Sequence, residues 1–155
     1  MLVVVAIAMP VAAWAQDDLV VRDAYLRSTN SKVAAAFMVI ENHGQSECRL
    51  SGAVSDAAER VELHTHAERQ GVMTMTRIEG GIAIPAGADH ALARGGDHVM
   101  MMGLRQPLAA GDTVALTLDF GDCGQRQVEV PLDNDHADPA ATHGAHAGHG
   151  DHAGH

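Results

Sequence analysis

The stretch 94-RGGDHVMMMGL-104 sets one histidine and three methionines within five residues. Two further stretches, 61-VELHTH-66 and 72-VMTMTRI-78, carry the same residue types. Successive side chains of a strand point to opposite faces. That alternation sets Val61 and Leu63 against Glu62, His64 and His66. It sets Val72 and Ile78 against Met73, Met75 and Arg77. It sets Val99 and Met101 against His98, Met100 and Met102. A methionine chosen for packing belongs with the aliphatic set, and in these segments only Met101 is there. Imidazole and thioether together make a soft-to-intermediate donor set, poor for Mg(II) and Ca(II) and good for Cu(I). Thiols in an oxidising compartment drift to disulfides, whereas thioethers do not. A His and Met site therefore suits Cu(I) outside the cytoplasm.

Such a site needs strands to present it. Candidate strands are 19–28, 34–42, 48–54, 60–66, 72–79, 98–103, 113–120 and 126–132, each short and separated from the next by Gly, Asn, Asp or Pro clusters. Short strands with regular turn signals predict an antiparallel sandwich or barrel. No segment has a helical period over a dozen residues; 55-SDAAER-60 is predicted to form one short helical turn. With only four aromatic residues (Tyr25, Phe37, Phe120 and Trp14), the core must come from Val, Ile, Leu, Ala and Met.

The ends read differently. Residues 1–15, MLVVVAIAMPVAAWA, form an apolar run closing on Ala13-Trp14-Ala15. This resembles an export leader that lacks its basic opening. It is too short for a permanent membrane anchor, and no second apolar run of membrane length follows. Export from a bacterial cytoplasm leads to the periplasm, where Cys48 and Cys123, which match no metal or redox spacing, are expected to pair as a disulfide. After Leu132 no apolar residue exceeds alanine, which predicts a disordered tail over 133–155. Its histidines are His136, His143, His146, His149, His152 and His155. Acidic residues outnumber basic ones 20 to 10, a net charge of −10, which argues against nucleic acid as a partner and favours cations. No G-x-S-x-G, phosphate loop or H-E-x-x-H occurs, so an enzyme is not expected.

The spacing His64, ten residues, Met75, about twenty residues, His98-x-Met100 resembles the motif of the periplasmic PCuAC-type copper chaperones. The words 61-VELHTH-66, 71-GVMTM-75, 80-GGIAIPAG-87 and 95-GGDHVMMMGL-104 resemble the family too, across residues 19–132. The resemblance implies a cupredoxin-like β-sandwich, over 17–132, binding one Cu(I) through His64, Met75, His98 and Met100. It implies delivery of copper to the assembly of a respiratory oxidase, with the oxidase copper subunit or a Sco-type thioredoxin-fold protein as partner. Met73 and Met75 both point outward, and the family spacing favours Met75; His66, Met73 and Met102 stand as auxiliary candidates. Some members carry a histidine extension, which implies a second site, for Cu(II), in the tail. The rival readings are a copper or zinc buffering protein without a delivery role, and an electron-transfer cupredoxin. The latter needs a His₂Cys set that the positions of Cys48 and Cys123 do not supply.

Overall fold

The computed structural model describes residues 18–137. Eleven strands run in chain order: β1 (Leu19–Arg27), β2 (Val33–Asn42), β3 (Cys48–Leu50), β4 (Gly52–Val54), β5 (Ala58–Arg69), β6 (Val72–Arg77), β7 (Ile82–Ile84), β8 (Asp89–Leu92), β9 (His98–Leu104), β10 (Thr113–Asp119) and β11 (Gln125–Pro131). Every ladder is antiparallel. The main sheet has the order β1-β2-β9-β5-β6, with β8 also pairing with β2. A three-stranded sheet, β11-β10-β4, and the pair β3-β7 complete the fold. One hydrophobic cluster draws on all three, with Leu26, Met38, Leu50, Ile84, Met101 and Leu116 among its buried members. This is the expected all-β sandwich.

Two local expectations are corrected. The segment 48–54 is not one strand. It breaks at Ser51, whose backbone N–H and hydroxyl both bond to the Asp119 carbonyl, so that β3 pairs with β7 and β4 with β10. The segment 55–60 forms no helical turn; a tight turn at Asp56-Ala57 leads straight into β5. The Ser55 hydroxyl bonds the Ala115 carbonyl and accepts from the Ala57 N–H, a local bonding pattern that competes with helix. Strands β7 and β8 have no counterpart among the candidate strands, since each is only three or four residues between turn signals, too few to establish an alternation of its own.

Two features bear directly on the outward face of the main sheet. Strands β5 and β6 are joined by the two-residue loop Gln70-Gly71, with φ of 53° and 78°. Positive φ at both positions is the turn whose twist matches a hairpin, and it sets the register. Strand β9 alternates between Val99 and Met101, fully buried in the core, and Met100 and Met102 on the other face. Cys48 and Cys123 are joined by a disulfide with Cα atoms 5.9 Å apart, tying β3 to the turn before β11. No helix among the described residues is long and apolar enough to cross a membrane. The leader segment 1–15 and the tail histidines from His143 onward lie outside the described residues.

Candidate metal centre

Directly opposed residues of an antiparallel pair point to the same face. The registers therefore lay out the outward face of the main sheet in rows. One row runs Arg77, His64, His98 across β6, β5 and β9. It is extended by Phe37 of β2, whose ring lies 6.0 Å from that of His98, and by Tyr25 of β1, stacked on Phe37 at 5.2 Å. On one side lies the row Met75 and His66. On the other lies Glu62, Met100, Ala35, Arg27. The row beyond holds Arg60, Met102 and Val33.

His98 occupies the centre. Although it is on the outward face it is only 2% exposed, because the rings of Phe37, His64 and His66 surround it. Its Nδ1 donates to the Gly96 carbonyl at 3.1 Å. That carbonyl is offered by the turn Ala93–Gly96, closed by the Gly96 N–H on the Ala93 carbonyl, with Gly95 at φ 83°. With Nδ1 protonated, Nε2 is left with its lone pair. Burial lowers the pKa of His98, reinforced by His66 and His64 and opposed by the Gly96 bond and Asp97. The ring is thereby held neutral, as a ligand must be.

His64 has the complementary arrangement. Its Nε2 donates to the Glu62 carboxylate at 2.9 Å, and its Nδ1 is buried with no hydrogen-bond partner. The His64 bond holds the Glu62 carboxyl below the usual range, with Arg77 and Arg60 adding to the effect and partial burial opposing it. A carboxylate on the far nitrogen is the usual device for fixing the tautomer and orientation of a metal-binding imidazole. His66 also has a buried Nδ1 without a partner.

The hairpin register separates the methionines. Met75 lies across from His66, one row from His64. Met73 lies across from Glu68, a further row toward the hairpin tip, and is 59% exposed against 43% for Met75. Met100 is one row from His98, facing Glu62. Met102 is two rows away, and its Sδ accepts from Arg60 at 3.7 Å. Met100 and His66 also line a groove of about 280 Å³ together with Phe37, Arg27 and Arg94. A larger cleft of about 650 Å³, between Val54 and Gln127, has no imidazole or thioether in its wall and shares no residue with this face.

Among the described residues, no three His, Cys, Asp or Glu side chains are gathered as a metal cluster. A metal on this face would take two imidazoles and complete its shell with thioethers. That donor set excludes hard cations and fits a soft ion.

The alternation of residues pointed to the face but not to its supports. Glu62 stood among the outward residues without a role, and the Gly96 carbonyl and the Phe37–Tyr25 pair carry no sequence signal for this site. His136, grouped by sequence with the tail, packs on the sandwich: its ring stacks on Tyr25 at 3.8 Å and its Nδ1 bonds Asp133 at 3.1 Å. His43 pairs with Glu41 and His90 with Asp97, and none of the four stands in the rows just described.

Comparison with known proteins gives a consistent picture. A family profile described as "Putative lipoprotein LpqE-like" matches residues 19–132. The "Putative lipoprotein Lxx21020" of Leifsonia xyli subsp. xyli is 38% identical over 116 residues, 75% of this chain and 70% of that protein. The solution structure of CuI-DR1885 from Deinococcus radiodurans superposes with a TM-score of 0.60 at 29% identity, covering 79% of this chain and 83% of its own. The copper-bound PCuAC domain from PmoF2 superposes at 0.62 with 20% identity, covering 75% and 92%, and shares the fold.

Proposed function

The chain belongs to the LpqE-like family, and we propose that within it this protein is a copper chaperone of the PCuAC type. It takes up one Cu(I) on His64, Met75, His98 and Met100. The observation that carries this reading is the pair His64 and His98. They are directly opposed on β5 and β9, each has one nitrogen tied to a fixed acceptor, and in His64 the other nitrogen is buried and unpartnered. A buried polar atom without a partner costs about 1–3 kcal/mol, which a bound ion would offset. Copper is cargo here, so the site must also release it. Neutral imidazoles and thioethers hold Cu(I) without the anionic grip of thiolates, and Met75, on the edge strand β6, is open to an incoming partner.

The sandwich of residues 17–132 is the Cu(I) carrier. The tail, with His143, His146, His149, His152 and His155, is a second site for Cu(II), whose preferred donors include imidazole. His136 starts that tail but is partnered by Tyr25 and Asp133. The protein works in the periplasm, where the Cys48–Cys123 disulfide is stable. The recipient is the copper subunit of a respiratory oxidase, with a Sco-type thioredoxin-fold protein as companion; this step rests on the family resemblance alone. No reaction is catalysed.

Competition against a Cu(I) chelator tests the site. His64→Ala and Met100→Ala should each weaken Cu(I) binding at least about tenfold, or ~1.4 kcal/mol, with the fold intact. Affinities equal to the parent's would refute the assignment. Mixing the Cu(I)-loaded protein with a copper-accepting oxidase fragment tests delivery, and copper that stays put would make the protein a buffer. Removing residues 138–155 should lower the Cu(II) stoichiometry; an unchanged value would deny the tail its role.

A further inference from the structure

We propose that His66 is an interchangeable donor of the same centre, replacing Met75 when the bound copper is Cu(II). The inference rests on the His and Met reading above and extends it to a second oxidation state.

Three observations meet at His66. Its ring centre lies 5.2 Å from that of His98, nearer than the 6.0 Å of His64. Two imidazoles sharing a tetrahedral metal at ~2.0 Å from each nitrogen have ring centres about 5 Å apart. The Nδ1 of His66 is buried without a partner, as is that of His64. Both orphaned nitrogens thus lie on the face that carries His98. Finally, His66 and Met75 are cross-strand partners in the β5–β6 hairpin. Opposed residues have Cβ atoms about 5 Å apart, so either side chain can supply a donor from that side of the centre.

The chemistry of the ion decides between them. Cu(I) accepts thioether sulfur readily. Cu(II) favours nitrogen and oxygen donors in a tetragonal arrangement. With Cu(II) bound, a third imidazole beside His64 and His98 is the better donor, and Met75, already 43% exposed, can turn out to solvent. No ready-made cluster of three such side chains is present among the described residues, so His66 joins by rotation of its ring rather than by occupying a finished cage. The backbone register need not move.

The test uses the full chain, with the tail imidazoles removed by His143→Gln, His146→Gln, His149→Gln, His152→Gln and His155→Gln, so that Cu(II) reports on the sandwich. In this background electron paramagnetic resonance of the Cu(II) form should show three coupled nitrogens, falling to two with His66→Gln. Competition titrations should show His66→Gln lowering Cu(II) affinity tenfold or more while Cu(I) affinity stays within about twofold. Met75→Leu should do the reverse. The proposal is overturned if the background binds no Cu(II), if His66→Gln leaves the nitrogen count and Cu(II) affinity unchanged, or if it weakens both oxidation states alike. Failure of the underlying site reads out separately, as unchanged Cu(I) affinity in His64→Ala.

Discussion

Glu62 offers the sharpest examination of how this face would work, because its hydrogen bond to the proposed centre goes to His64 while it also stands across from Met100. Its carboxylate accepts from His64 Nε2 at 2.9 Å, and Arg77 Nη1 lies 3.8 Å from its other oxygen. In Glu62→Ala the imidazole can place its proton on Nδ1, the nitrogen that must be bare to bind metal, and the ring is free to turn. Loss of a partner of this kind typically costs 10–100-fold in metal affinity, ~1.4–2.7 kcal/mol. The electrostatic effect has the same sign, since a negative charge beside the cation is lost while Arg60 and Arg77 remain. Glu62→Gln keeps an acceptor for the ring but not the charge, so its loss should fall between the parent and Glu62→Ala. The assay is anaerobic competition for Cu(I) against a chelator of known affinity. Thermal unfolding of the metal-free proteins serves as control and should change little, because Glu62 points away from the core. A Glu62→Ala protein binding Cu(I) within twofold of the parent would refute the orienting role. Equal losses in both variants would show that charge, not ring orientation, is what Glu62 provides.

Other consequences follow from the same geometry. Met38, 2% exposed in the core, should cost roughly 2–5 kcal/mol of stability when changed to Ala, measured by urea unfolding, with Cu(I) affinity unchanged. Replacing Cys48 and Cys123 together by Ala opens a link across 75 positions and should lower stability by about 4 kcal/mol in the chain-entropy model, again sparing copper binding because neither residue is on the outward face of the main sheet. In the metal-free protein the lowered pKa of His98 means that below about 6.5 the unfolded chain takes up a proton that the folded one refuses. This contribution to stability is complete above that pH. It is lost as pH falls from there through the depressed folded-state value, with a slope of at most ~1.4 kcal/mol per pH unit. Urea midpoints at pH 7.5, 6.5 and 5.5 should show that component in the parent and not in His98→Gln.

Much of this architecture was legible in the order of residues. Alternation over 61–66 and 98–102 needs only the two-residue period of a strand, so there the division into a core face and a His and Met face follows locally. Over 72–78 it does not hold, because β6 is an edge strand on which Val72, expected on the buried side, is 62% exposed. The Gln70-Gly71 turn is local too, but the strand expected over 60–66 stops short of it, and the ladder that runs on to Arg69 and pairs His66 with Met75 is visible only in the structure. Pairings between distant strands are of another kind. That His64 opposes His98 depends on β5 and β9 becoming neighbours across 34 positions, which nothing in either segment announces. The burial of His98 depends on Phe37 from β2, and its tautomer on a carbonyl of the preceding turn. The split of 48–54 at Ser51 required a distant carbonyl, that of Asp119. His136 left the compositional tail for the sandwich because Tyr25 presents a ring face to stack upon. Side-chain type and strand period are properties of neighbours in sequence. Which imidazole meets which partner, and which nitrogen is left bare, depends on contacts between strands far apart in the chain, and those exist only once the sheet has closed its registers.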